Sequence, residues 1–241
     1  RLDEFAINDG KKHPCILIIP GGGYDHLSDH EGENVAIELN KLGISAFVLY
    51  YRIAPYRHPI YLYDIKRTMR YIRYNAEKYG IYEDKIGIMG FSAGGHLACI
   101  CAENVNKFEY EPIDDIDKVS SRPDILCLCY PVVTISKEIA HKRSGDNMAG
   151  DDMEIRKALS CELAVPDDMP PTFVWHTFED KSVDCRNSLE LGIAMKEKEV
   201  PFEMHIFQKG RHGLDFANGV EGTEKWFELF LTWAKIQKFI I

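Results

Sequence analysis

Short apolar runs alternate with longer stretches whose apolar residues recur every three or four positions, and this alternation constrains the fold more than any other feature. The run Cys15-Ile-Leu-Ile-Ile19 has no polar break, as expected of a strand covered on both faces, and it stops at Pro20 and a run of glycines. Further strands are expected over residues 44–51, 85–90, 125–130, 172–176 and 202–207. Helices are expected between them, over residues 32–42, 61–79, 93–104, 186–198 and 223–239. Ile65, Met69, Ile72 and Ala76 form the apolar stripe of the second, and Trp226, Phe230 and Trp233 that of the last. Strand and helix in turn predict an α/β fold, a mostly parallel twisted sheet with helices on both faces. Residues 132–171 break the rhythm with Gly, Asp and Pro around one short helix at 153–159, and read either as a small cap or as a solvated excursion. With no repeat, low-complexity tract or linker, the 241 residues are expected to form a single domain over 1–241.

The sharpest chemical signal is Gly90-Phe91-Ser92-Ala93-Gly94, placed between an expected strand and an expected helix. Glycines flank a serine where a strand turns abruptly into a helix, because side chains there would collide, and the hydroxyl then stands above the sheet edge. The following amide, of Ala93, would lie at a helix N-terminus, where an unpaired N–H favours developing negative charge. The competing reading of Ser92 is a plain helix cap. A second signal is Pro20-Gly21-Gly22-Gly23-Tyr24, directly after the first apolar strand. Its backbone can turn N–H groups toward a ligand, which makes Gly22 and Gly23 candidates for the second oxyanion donor. No Gly-Lys-Ser/Thr and no Gly-x-Gly-x-x-Gly is present, so a nucleotide-binding loop is disfavoured, and a simple tight turn is the remaining alternative.

Two later loops supply an acid and a base. Asp180 follows the strand at 172–176, and His212, set between Gly210 and Gly213, follows the strand at 202–207. The chain order Ser92, Asp180, His212 is that of a nucleophile-elbow hydrolase, with each residue at the C-terminal end of a strand. Glu179, Asp184 and the pair Asp167-Asp168 are rivals for the acid. Among the other histidines, His205 reads as a structural residue on a sheet face, His176 as a neighbour of the site, and His96 as packing beneath the elbow. Asp25, His26, His30 and Glu31 carry metal-capable side chains, but their spacing matches no common site, so no metal and no cofactor is expected.

The segments Pro20–Tyr24, Gly-Phe-Ser-Ala-Gly-Gly-His-Leu-Ala from Gly90 to Ala98, Asp180-x-x-Val183 and Gly210-Arg-His-Gly213 together resemble the α/β-hydrolase esterases related to acetyl xylan esterases and other carbohydrate esterases. The resemblance runs from about residue 14 to residue 233. It implies an α/β-hydrolase fold, with nucleophile, acid and base at Ser92, Asp180 and His212, and oxyanion amides from Gly22, Gly23 and Ala93. The Asp-x-x-Val pattern favours Asp180 over its rivals. Pro20 stands where lipase-like members carry the histidine of a His-Gly-Gly-Gly loop, and the strands that usually precede that loop are nearly absent.

These features lead to a serine hydrolase of short-chain carboxylic esters, acting through an acyl-enzyme on Ser92. The short segment 132–171 leaves no room for a large lipase lid, and the resemblance implies an acetylated sugar as substrate. An amide or formamide hydrolase of arylformamidase type on the same triad, and a non-catalytic binding protein of this fold, are the alternatives. The net charge of −9 disfavours nucleic acid and anionic membranes as partners, and homo-oligomerisation is left open. No apolar run approaches the roughly 20 residues of a membrane span. The seven cysteines look like core residues rather than a disulfide framework, which suggests a reducing, cytoplasmic setting. The first residue is Arg1 rather than Met, which leaves room for an upstream segment such as a cleaved signal peptide or a first strand.

Overall fold

The computed structural model describes residues 1–104 and 106–240. Seven strands form one sheet in the order β1-β3-β2-β4-β5-β6-β7: β1 (Leu2–Phe5), β2 (His13–Ile19), β3 (Ser45–Leu49), β4 (Ile81–Phe91), β5 (Leu126–Cys129), β6 (Thr172–Thr177) and β7 (Phe202–Phe207). All neighbouring pairs are parallel except β1 on β3. The seven principal helices are α1 (Glu33–Lys41), α2 (Ile60–Tyr74), α3 (Ala93–Glu103), α4 (Lys142–Ala149), α5 (Met153–Ala158), α6 (Arg186–Glu197) and α7 (Trp226–Ile236).

Strand side chains alternate between two cores, as the pleat requires. Leu17, Ile19, Ile86 and Leu128 face the layer of α2, α3 and α6, where Tyr61, Leu62, Ile65, Leu97 and Leu191 are buried. Ile16, Ile18, Met89 and Cys127 face α1 and α7, and there Trp226 stacks on Trp175 at 4.9 Å between ring centroids. Burial on both faces explains why the central strands read as unbroken apolar runs.

The structure departs from the sequence reading at the edges. Leu2–Phe5 is a strand, antiparallel to β3, so a strand does precede the glycine loop. Its Asp and Glu hid it, and an edge strand tolerates such residues because one side meets water. The helix expected over 61–79 ends at Tyr74, and the closing helix runs only from Trp226 to Ile236, after a 3-10 turn at Thr223–Lys225. Residues 132–171 contain α4 as well as α5, and they pack back onto the body of the fold. Asn147 Nδ2 donates to Gly23 O at 2.8 Å, and Leu159 O accepts from His96 Nε2–H at 2.7 Å. All seven cysteines are free. Among the described residues no helix is long and apolar enough to cross a membrane.

Candidate active site

Ser92 sits at the end of β4 with φ +53° and ψ −117°, a backbone region that side chains other than glycine rarely enter. The turn is fixed from both sides. Ser92 N–H donates to Cys129 O at 2.9 Å, and Ser92 O accepts from His96 N at 3.1 Å and from Val132 N at 3.0 Å. A Cβ at Gly90 would stand 2.4 Å from Gly94 O, and one at Gly94 only 2.1 Å from Ile19 O. The two glycines of the motif are therefore required by crowding against backbone that has nowhere to go.

Ser92 Oγ donates to His212 Nε2 at 2.8 Å, and His212 Nδ1–H donates to Asp180 Oδ2 at 2.6 Å. The three residues that the sequence singled out are thus one hydrogen-bonded chain. Asp180 is buried, and its Oδ1 accepts from Ser182 N at 2.9 Å and Val183 N at 3.0 Å. This double bond to the backbone accounts for the Asp-x-x-Val spacing. His176 Nδ1 lies 2.8 Å from Ser188 Oγ, so its Nε2–H is left to donate to Val183 O at 2.9 Å and to Asp180 Oδ2 at 3.2 Å. Burial alone would raise the Asp180 carboxyl. The hydrogen bonds from His176, His212 and Val183 outweigh it and hold the group well below the ordinary carboxylate range. Asp180 is therefore a carboxylate throughout the pH range in which a histidine titrates.

The loops that carry the acid and the base are tied together. Thr177 Oγ1 donates to Gly210 O at 2.8 Å, and Gly210 N donates to Glu179 Oε2 at 3.0 Å. Glu179, a rival for the acid, thus braces the histidine loop. Asp184 pairs with Arg186 at 2.7 Å and Asp167 with Lys198 at 3.0 Å, both away from His212. His205 bonds Glu203 at 2.8 Å and stacks near Phe207 on the sheet face. His96 is fully buried, with Nδ1 accepting from Tyr24 O–H and Nε2–H donating to Leu159 O, both at 2.7 Å. Burial pushes it down to about 4, so it is neutral and joins the glycine loop, the elbow helix and residues 132–171.

The glycine loop lies against the elbow. A Cβ on Gly21 would come 2.9 Å from Ser92 Cβ, while Gly22 and Gly23 have φ +122° and +64°. Ser28 N bonds Gly21 O, and Asp25 N and His26 N both bond Gly22 O. Among the described residues the amides of Gly22, Gly23 and Ala93 meet no protein acceptor, which leaves three N–H groups around the Ser92 turn. Over the loop, Arg143 of α4 pairs with Asp25, and its Cδ would lie 3.3 Å from a Cβ on Gly23. His141, just before α4, was not singled out by the sequence. It is partly buried, and its Nδ1 is 2.8 Å from Ser144 Oγ. Burial first, and then its neighbours His212 and Arg143, hold it below the ordinary histidine range.

The four metal-capable side chains near the glycine loop divide into separate pairs. Asp25 meets His26 and Arg143, whereas Glu31 lies 3.8 Å from His30 Nε2 and accepts from Gly21 N and Tyr130 O–H. Among the described residues only Cys99, Glu103 and Cys161 come close enough to share an ion. Burial raises the Glu103 carboxyl and the Cys161 thiol well above their usual values.

Residues 5–195 match the BD-FAE family. An endo-1,4-beta-xylanase B of Butyrivibrio fibrisolvens is 40% identical over 90% of this chain and 35% of its own length. An acetylxylan esterase of Xylanibacter ruminicola is 30% identical over 92% of this chain and 45% of its own. The chain therefore spans between a third and a half of the length of these two relatives. The crystal structure of an acetyl ester-xyloside bifunctional hydrolase from Caldicellulosiruptor lactoaceticus superimposes with a TM-score of 0.95 at 42% identity, covering 100% of this chain and 89% of that one. The family match over most of the chain and the sheet shared with the solved hydrolase make the assignment plain: the chain belongs to the BD-FAE family, has an α/β-hydrolase fold and is related to acetyl xylan esterases.

Proposed function

We propose that this chain removes short acyl groups, acetyl above all, from the hydroxyls of sugars, with Ser92 as nucleophile, His212 as general base and Asp180 as the group that orients the base. The observation that carries the reading is the unbroken path Ser92 Oγ–His212–Asp180, with contacts of 2.8 and 2.6 Å. His212 Nε2 takes the serine proton as Oγ attacks the ester carbonyl. The Asp180 carboxylate keeps the ring proton on Nδ1 and stabilises the imidazolium that forms. The oxyanion of the tetrahedral intermediate is met by the amide of Ala93 and those of Gly22 and Gly23, each worth about 3 kcal/mol by the usual effect of losing one donor. His212 then returns its proton to the departing sugar oxygen, and water repeats the attack on the acyl-serine.

Two observations favour a small acyl group on a sugar. Arg143 and Asn147 of α4 hold the glycine loop from above, so residues 132–171 form a short cover rather than a wide lipid groove. The relatives named for acetylxylan ester and acetyl ester-xyloside hydrolysis match this chain over nine-tenths or more of its length. The test compares acetylated xylo-oligosaccharides with p-nitrophenyl esters of two to eight carbons. Rapid release of acetate, falling steeply beyond four carbons and lost in Ser92→Ala, is expected. Equal turnover of the octanoyl ester, or full activity in Ser92→Ala, contradicts the proposal.

A further inference from the structure

The geometry points to Glu31 as a positioning residue for this chemistry: its buried carboxylate holds the glycine loop against the elbow and, through Tyr130, steadies the ring of His212. Glu31 closes the 3-10 turn Asp29–Glu31 and is only 1% exposed. Its Oε2 accepts from Gly21 N at 2.8 Å, and its Oε1 accepts from Tyr130 O–H at 2.7 Å. One carboxylate thus binds two elements that the chain places 109 residues apart, since 130 − 21 = 109.

Both attachments lead to the reacting groups. Gly21 is the residue whose Cα faces Ser92 Cβ, and it immediately precedes the amides of Gly22 and Gly23. The loop closes on itself through Ser28, which donates its N–H to Gly21 O at 3.1 Å and accepts from Glu31 N at 3.0 Å. With Gly21 N held by the carboxylate and Gly21 O held by Ser28, the peptide planes that follow have little freedom to rotate. On the other side, the Tyr130 ring lies 5.1 Å from that of His212 at 69°, and its hydroxyl accepts from Asp215 N at 3.1 Å, beyond His212 on the same loop. A Cβ on Gly213 would stand 4.0 Å from Glu31 Oε1, so the carboxylate also borders the histidine loop directly. Tyr130 holds φ +37°, an unfavourable value for a tyrosine, with its backbone N–H donating to Trp175 O at 2.7 Å.

A carboxylate can accept about four hydrogen bonds, and Glu31 takes two from this pair while lying out of water. Burying it so is a standing cost to the fold. A buried glutamine would keep a carbonyl for Gly21 N but turn an NH₂ toward Tyr130, whose hydroxyl already accepts from Asp215 N and would have to send its own proton elsewhere. The carboxylate accepts from both donors at once, and what it fixes is where two loops stand relative to Ser92.

This inference rests on the Ser92 reading above, and its test separates the two. Wild type, Glu31→Gln, Glu31→Ala, Tyr130→Phe and the Glu31→Gln/Tyr130→Phe pair are assayed on p-nitrophenyl acetate. Turnover is counted per active site by fluorophosphonate titration, so that loss of folded protein does not enter kcat. A misplacement of about 1 Å in donors or base costs up to about 10²-fold. Glu31→Ala is accordingly expected to lower kcat per titrated site by about 10²-fold, with KM within about twofold. Tyr130→Phe removes both hydrogen bonds of the hydroxyl, the one to Glu31 and the one from Asp215 N, and is expected to cost roughly tenfold. The double variant should lose less than the product of the two single losses, because the Glu31–Tyr130 contact is common to both. If Glu31→Ala does not fold, Glu31→Gln and the double variant decide alone. A kcat per site within twofold of wild type in the Glu31 variants, or losses that multiply in the double variant, overturns the assignment. A wild type that takes no label refutes the Ser92 reading instead.

Discussion

Replacing Asp180 by asparagine changes one oxygen to an NH₂ group, and the structure fixes where that group must sit. Oδ1 accepts from the amides of Ser182 and Val183. If the new side chain keeps its carbonyl oxygen there, its NH₂ takes the place of Oδ2, facing His212 Nδ1 at 2.6 Å and His176 Nε2–H at 3.2 Å. Two donors then oppose each other at His176, and His212 Nδ1 is pressed to accept. The His212 proton moves to Nε2, toward Ser92, and the ring can no longer take the serine proton. Reversing the amide would instead set NH₂ against two backbone donors, so no orientation rescues the site. Loss of the correct tautomer costs about 10⁴-fold in kcat in the serine triad, or about 5.4 kcal/mol at 1.36 kcal/mol per decade. Steady-state hydrolysis of p-nitrophenyl acetate at pH 7.5 measures it, with circular dichroism confirming the fold. A loss smaller than tenfold in folded Asp180→Asn protein would refute the tautomer argument and reopen the choice of acid.

Three further outcomes follow from local geometry. Ser92→Gly relieves a side chain held at φ +53°, a strain of order 1–3 kcal/mol, less the entropy of an added glycine. The inactive variant should unfold a few degrees above wild type in a thermal melt, and a lower transition would contradict the strain. Gly94→Ala drives a methyl to within 2.1 Å of Ile19 O; destabilisation of about 3 kcal/mol or more is expected from urea titration, and a wild-type midpoint would show the turn to be pliant. Burial, opposed by His30 and reinforced by Glu31, lifts the Asp215 carboxyl from 3.8 to about 7. The folded state binds that proton more tightly than the unfolded one, so the contribution to stability is present below about pH 4 and is lost as pH rises to about 7. Asp215→Asn should flatten this decline relative to wild type in urea titrations from pH 4 to 7.5, and parallel curves would count against it.

Much of the fold was legible because central strands of a parallel sheet are covered twice, so Cys15–Ile19 and the apolar residues around Leu126 advertise themselves. Leu2–Phe5 was not legible, since an edge strand is held by backbone pairing to β3 and its side chains answer to water. Helix α4, with the sequence Lys-Arg-Ser-Gly-Asp-Asn-Met-Ala, was missed for a related reason: only its Ser144, Gly145, Met148 and Ala149 are buried, too short a stripe to show a period.

The hydrogen-bonded set of Ser92, His212 and Asp180 was legible because sterics and chain order leave a local trace. Glycines crowd Ser92, a two-residue backbone clamp sets the spacing from Asp180 to Val183, and glycines flank His212. Glu31, Tyr130 and Asp215 left no such trace. Each looks ordinary among its sequence neighbours, and their meaning lies in contacts that span 99 and 85 residues of chain. A glutamate beside His30 reads as a solvated or metal-binding side chain until the fold puts Gly21 and Tyr130 on its two oxygens.

The central claim, that the Ser92 hydroxyl is made nucleophilic by His212, is tested most directly by covalent trapping. A fluorophosphonate is added to wild type, Ser92→Ala and His212→Ala, and intact mass and peptide mapping follow the adduct. The account predicts one phosphonyl group per wild-type chain, on the peptide that contains Ser92, none in Ser92→Ala, and labelling slowed by orders of magnitude in His212→Ala. An adduct on any other residue, or equal labelling rates in wild type and His212→Ala, would contradict it.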